Sequence, residues 1–294
     1  MTGKKKRKIQ KIVAFTLALL SLLAPCASVA AYIRRGDVAT YSTHLQQQML
    51  DTKQTNHIKR ESGLEKYKAF ETSAKVAKKL PIYCVDTKGQ KKVAITFDAA
   101  WGNEDADQIL NTLKENNVRA TFFMVGDFIR KYPDLVKRIA QEGHDVANHS
   151  NKHPHVNKMT KDAIKEDIMG AHEEIKNLTG VECNLYRPPY GEYNDTVLDA
   201  AKECHYHTIQ WDVDSIDWKG YDAPTIVKKV LEHKHLGDGS IILLHNGAKH
   251  TAEALPQIIT GLKEKGYEIV PISELIYMEN YTLDHEGRQS IAES

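Results

Sequence analysis

Val93-Ala94-Ile95-Thr96-Phe97-Asp98-Ala99-Ala100-Trp101-Gly102 is the stretch on which the reading of this chain turns. It begins with the β-branched and aromatic residues of a short buried strand and ends in a carboxylate, small residues and a glycine. The pattern then recurs. Short β-rich runs over residues 93–97, 120–125, 145–148, 184–187, 207–213, 240–245 and 267–271 alternate with amphipathic segments, which predicts repeated βα units around a parallel sheet. After Thr160, Ile164, Ile168, Ala171, Ile175 and Leu178 fall on one helical face, and Gly180 supplies the stop. Leu255, Ile258, Ile259 and Leu262 mark a later helix ending at Gly266, and Pro224 is placed to open the one carrying Ile226, Val227 and Val230.

The polar residues that interrupt this pattern cluster at strand ends. Asp98 follows the first strand, His149 the third, Arg187 the fourth, Asp212 and Asp214 the fifth, and His245 the sixth. Taken singly, each has a mundane explanation as a helix cap or a hydrogen-bonded surface group. Together they supply a carboxylate, a histidine pair (His149 and His153) at i and i+4, an arginine before two prolines, and a final histidine. Metal-assisted hydrolysis uses this combination. The carboxyl ends of parallel strands share one face, and contributions from five strands favour a barrel over an open doubly wound sheet.

Outward from this core the chain changes character. Residues 1–31 carry six basic and no acidic side chains, with an apolar run from Ile12 to Ala24, and read as an export signal. Ser28-Val29-Ala30 offers small residues for cleavage, but the apolar stretch runs on to Ile33, long enough for a membrane anchor. Residues 34–80, with ten basic against five acidic side chains, form a polar and partly helical stalk, and 81–294 is left with a net charge of −10. An acidic module gives no support to nucleic-acid binding, whereas a cationic leader suits an anionic membrane or wall polymer. Cys26, Cys84, Cys183 and Cys204 match no zinc-finger spacing; Cys183 and Cys204 flank a helix and could be bridged, although buried free thiols are the commoner state.

Five segments in order carry a family resemblance: Thr96-Phe97-Asp98, His149-Ser150-Asn151-Lys152-His153, Arg187-Pro188-Pro189-Tyr190-Gly191, Asp214-Ser215-Ile216-Asp217-Trp218 and Leu243-Leu244-His245-Asn246. Over about residues 83–278 the chain resembles the polysaccharide deacetylases, the NodB-homology domain of carbohydrate esterase family four. The resemblance implies an α/β fold, a distorted (β/α) barrel of about seven parallel strands, in a catalytic domain at 81–278 followed by a tail at 279–294. It implies an extracytoplasmic N-deacetylase acting on a cell-wall polysaccharide of peptidoglycan or chitin type. A divalent metal, usually zinc, would be held by His149 and His153. Asp98 would be the general base, Arg187 its orienting partner and His245 the general acid, with Asp214 as the carboxylate that holds His245. The Tyr190 backbone N–H would face the oxyanion, and Trp218 and Leu243 would wall the acetyl pocket. Asp217 receives no separate role, and His155, two residues past the pair, is the further histidine of interest.

One departure stands out. Most members of that family have a second aspartate after the first, as a metal ligand, where this chain has Ala99. A methyl group cannot coordinate a cation, so the site must recruit another carboxylate, with Glu104 and Asp105 nearest in sequence, bind through two histidines and water, or draw Asp98 onto the metal. The alternative function is therefore a glycan-binding protein on a degenerate deacetylase scaffold; deacetylation of ester-linked acetyl groups is a variant of the same chemistry.

Overall fold

The computed structural model describes residues 79–292. The expected segment 1–33, and the stalk 34–80 but for Lys79 and Leu80, lie outside the described residues. The strands are β1 (Cys84–Val85), β2 (Lys92–Ala99), β3 (Thr121–Met124), β4 (Asp145–Asn148), β5 (Leu185–Tyr186), β6 (His207–Thr208), β7 (Val213–Asp214), β8 (Ile241–His245), β9 (Glu268–Ile269), β10 (Tyr281–Leu283) and β11 (Arg288–Ile291). The helices are α1 (Ala106–Glu115), α2 (Gly126–Lys131), α3 (Pro133–Gln141), α4 (Lys161–Thr179), α5 (Asp195–Glu203), α6 (Ala223–Leu231), α7 (Thr251–Glu264) and α8 (Ile272–Leu275). No described helix is long and apolar enough to cross a membrane.

The main sheet runs β6-β5-β4-β3-β2-β8-β7, every neighbouring pair parallel, and β9 pairs with the foot of β2. Seven parallel strands thus curl into the half-barrel that the alternating pattern predicts. One expected strand is corrected. The run 207–213 divides into β6 and β7, which lie at opposite edges of the sheet. The residues between them cross the gap, with Ile209 N donating to Tyr186 O, Gln210 N to Ile82 O and Asp212 N to Ile241 O. A single strand would have to pair with one edge alone; here the chain leaves one edge and joins the other.

Strand alternation explains both cores. Val93, Ile95, Phe97 and Ala99 of β2 face the helices and join a cluster with Ile109, Leu113, Ile168, Leu255 and Ile258. Ala94 faces inward with Phe123, Ala147, Leu185, Ile209 and Ile241, and these fill the lower barrel. Thr96 and Asp98 share that inward parity one and two layers higher, opposite Leu243 and His245 in the β2–β8 register. The interior is therefore apolar at its foot and polar at the carboxyl ends of the strands.

Helix α4 begins at Thr160, whose side chain accepts from Ala163 N, and ends at Gly180 with φ 76°, a left-handed position that costs a glycine little. Asp222 caps α6 with Pro224 in its first turn. Residues 281–291 form the hairpin β10–β11, and β11 pairs in parallel with β1 to make a second, three-stranded sheet. Gln289 is wholly buried there and brackets Tyr277, its Oε1 accepting from Tyr277 N and its Nε2 donating to Tyr277 O. Cys84, Cys183 and Cys204 are free thiols.

Candidate active site

Asp98, at the last inward position of β2, is 4% exposed. Its Oδ1 accepts from Arg187 Nη1 at 2.7 Å. The same nitrogen donates to Thr96 Oγ1, and Nη2 to the Gln210 carbonyl. Arg187 is fully buried, with its guanidinium over the Phe123 ring at 4.0 Å and near Trp211 on another side. Burial alone would raise the Asp98 carboxyl, but the charge and hydrogen bond of Arg187, with the charge of His245, outweigh it and hold the group below the ordinary range. Asp98 is thus an ionised carboxylate in a buried site, oriented by a fully buried cation.

His149 follows β4 and is 2% exposed. Its Nδ1 lies 2.7 Å from the Arg187 carbonyl, which can only accept, so Nδ1 carries the proton and Nε2 presents a lone pair. Nε2 faces Asp98 Oδ2 at 3.5 Å. His153 is reached by a tight loop in which Ser150 (φ 77°) and His153 itself (φ 52°) are left-handed. Asn148 Oδ1 accepts from Ser150 N, and Ser150 Oγ from His153 N. The two imidazoles meet edge to face at 5.0 Å. Burial lowers the proton affinity of both, that of His153 to about 4 with help from His149, so both are neutral at physiological pH.

Neutral imidazoles with free lone pairs are donors that a divalent cation takes. The pair fits that role, but its complement falls short. Ala99 packs on the helix-facing side with Ala106, Ile109, Leu110 and Phe122, away from the histidines. The nearby acids do not replace the missing ligand. Asp105 Oδ1 accepts from Gly247 N beside the start of α1, and Glu104 is exposed. Among the described residues no group of three or more His, Cys, Asp or Glu side chains is arranged to hold a metal ion.

His245 ends β8 directly beside Asp98. The carboxylate that holds it is Asp217 and not Asp214, which corrects the sequence reading. Asp217 Oδ1 lies 2.7 Å from His245 Nδ1, while its Oδ2 accepts from His245 N and from Thr251 Oγ1. Asp214 instead turns back to accept from Ile216 N at 2.8 Å. Ile216 has φ 54°, a conformation costly for a β-branched residue, and this reversal aims Asp217 at β8. Burial disfavours the His245 imidazolium, but the Asp217 hydrogen bond and charge, with Asp98 and Asp214 behind them, outweigh it and raise its pKa. Asp212 also leaves the candidate set. It accepts from Ser240 Oγ and Ile241 N at the foot of β8, where burial raises its carboxyl to about 6.

Leu243 lies one inward layer below His245, 3% exposed and outside both apolar clusters. Tyr190 (58% exposed) and Trp218 (53%) stand on short 3₁₀ turns after β5 and β7. Tyr190, with φ 59°, packs its ring edge to face on His153 and parallel to His155 at 4.4 Å. His155 is tied by Nδ1 to Glu192 Oε1 at 2.8 Å. Trp101, which follows the first motif and has no role in the sequence reading, is half-exposed and lies parallel to the His245 ring. Its exposed aromatic bulk after a strand end was the available signal.

A family model described as polysaccharide deacetylase matches residues 85–209. The peptidoglycan-N-acetylmuramic acid deacetylase PdaA of Bacillus subtilis is 36% identical over 225 residues, which cover 76% of this chain and 80% of that protein. The peptidoglycan-N-acetylglucosamine deacetylase of Bacillus cereus is 39% identical over 188 residues, 63% of this chain and 68% of that one. Among solved structures, BA3943 of Bacillus anthracis, described as a CE4 family pseudoenzyme, superposes with a TM-score of 0.64 at 30% identity over 73% of each chain. A mutant of BA3943 with restored enzymatic activity superposes equally well, TM-score 0.64 at 33% identity over 71% of this chain and 72% of that one.

Proposed function

This chain belongs to the polysaccharide deacetylase family, and from that premise we propose that it is a hydrolase removing N-acetyl groups from peptidoglycan-type glycan outside the cytoplasm. The observation that carries the reading is the pairing of a carboxylate and an imidazole across adjacent strands, each held by its own opposite charge. Arg187 holds Asp98 and favours its ionised form, and Asp217 holds His245, the register neighbour of Asp98, and favours its protonated form.

In this reading Asp98 accepts the proton of the water that attacks the acetamide carbonyl, and Arg187 fixes the carboxylate's orientation. His245, whose protonated form Asp217 favours, delivers a proton to the departing sugar amine, so acetate and a free amine leave. The Tyr190 backbone N–H is the donor assigned to the oxyanion; the residue is left-handed, with φ 59°, and its ring packs on His153. Leu243 and Trp218 are assigned to the acetyl pocket. His149 and His153 would hold a divalent ion, zinc by resemblance, which when bound polarises the carbonyl. With two protein ligands in place of the usual three, the ion should be held weakly and activity should depend on added metal.

Acetate release from peptidoglycan and from chitin oligomers, measured with and without zinc, cobalt or manganese, tests the proposal. Release stimulated by metal supports it. Ala99 and the likeness to a pseudoenzyme favour a second reading, a glycan binder on a degenerate scaffold. Tight glycan binding with no acetate under any metal would establish that one instead.

A further inference from the structure

The connection between β2 and α1 carries Trp101, 47% exposed at the mouth of the site. Its indole lies parallel to the His245 imidazole, with centroids 5.6 Å apart and planes inclined by 15°. The loops bearing the two rings are fastened to each other just past the stack. Asn246 Nδ2 donates to Gly102 O at 2.7 Å, and Gly247 N donates to Asp105 Oδ1 at 2.7 Å. Gly247, at φ 75°, packs so closely that a Cβ there would come within 3.0 Å of Gly102 N. The residues next to Trp101 are therefore tied to the residues next to His245, and the stack does not depend on the aromatic contact alone.

Asp217 holds His245 at one ring nitrogen. A single hydrogen bond leaves the imidazole able to roll about that bond, since rotation at this side-chain torsion is soft. A flat ring laid against its face removes that freedom. The negative face of an indole also favours a charged partner, and the carboxylates around His245 (Asp217, Asp98 and Asp214) already favour the imidazolium. We propose that Trp101 is a positioning residue for His245, fixing the plane of the imidazole so that its free Nε2 points at the leaving amine.

The inference rests on the proposed acid role of His245, and the test separates the two. Trp101→Phe, Trp101→Leu, Gly247→Ala and His245→Ala are made in the full chain, and acetate release from chitin oligomers is resolved into kcat and KM. Trp101→Leu should lose about tenfold in kcat with little change in KM, a share of the roughly 10²–10⁴-fold that positioned proton transfer contributes. Trp101→Phe should retain most of kcat, and Gly247→Ala should fall in the same direction as Trp101→Leu because it pries the two loops apart. Turnover in Trp101→Leu equal to wild type, beside an inactive His245→Ala, overturns the positioning role while leaving the acid role standing. Undiminished turnover in His245→Ala overturns both. A readout that needs no turnover is the ring-proton NMR signal of His245, assigned by its disappearance in His245→Ala. It should move downfield in Trp101→Leu as the indole ring current is lost, and an unmoved signal overturns the stacking in solution.

Discussion

Asp214 and Asp217 stand three residues apart in one motif, and which of them reaches His245 is decided by the backbone of Ile216. The gathering of Asp98, His149, Arg187 and His245 was legible because each sits at a strand end, and strand ends are visible as breaks in β-rich runs; His153 was legible from its i+4 spacing to His149. The choice between the two aspartates was not, because it depends on a left-handed residue that no pattern of side chains announces. A pH dependence follows from it. An acid must be protonated to act, so turnover falls as pH rises through the His245 pKa, which Asp217 raises. Asp217→Asn should move that alkaline limb to lower pH, and Asp214→Asn should move it much less; pH–rate profiles of the two variants check this. The stability contribution has the same sign. The His245–Asp217 pair contributes fully below the unfolded histidine value and is lost as pH rises through the raised folded value. Arg187→Met should be the costlier change, because it leaves Asp98 buried without its cation. A loss of about 3–5 kcal/mol is expected for breaking a buried pair, measured by urea unfolding at neutral pH. Part of that loss should vanish in acid, where Asp98 takes up a proton.

At the scale of elements, helix α4 was readable end to end, because a hydroxyl cap, a 3.6-residue apolar stripe and a terminal glycine are all local signals. Its stability should respond locally too. Thr160→Ala removes the acceptor for Ala163 N and should cost about 1 kcal/mol in denaturant unfolding while leaving acetate release unchanged. The division of 207–213 into β6 and β7 could not be read in the same way. Both halves are only two residues long, and their separation is set by partners elsewhere in the chain, Asn184 and Tyr186 at one edge and Ile241 at the other. Periodicity reports which face of a segment is buried; it says nothing of which neighbour the segment pairs with.

For the whole molecule, the parallel curl followed from the alternation of β-rich runs with helical stripes, whereas the second sheet escaped notice because residues 281–291 are polar and short. That sheet bears on where the folded unit ends. The family resemblance suggests 81–278, but β11 pairs with β1, and Arg288 Nη1 donates to the carbonyls of Val85 and Asp238. A chain of residues 79–292 should melt cooperatively, and one cut at 278 should melt at lower temperature or precipitate. Equal melting temperatures in scanning calorimetry would show that the hairpin is dispensable. The strand order has a further consequence for a chain that emerges amino end first. Strands β2 to β6 can pair in the order in which they appear, but the other side of β2 waits for β8, some 140 residues later. Until then β2, seven of whose eight residues are buried in the folded protein, presents a bare edge to any strand it meets. Synthesis halted before β8 leaves both that edge and Asp98 without their neighbours, so a shortened chain is at once inert and adhesive.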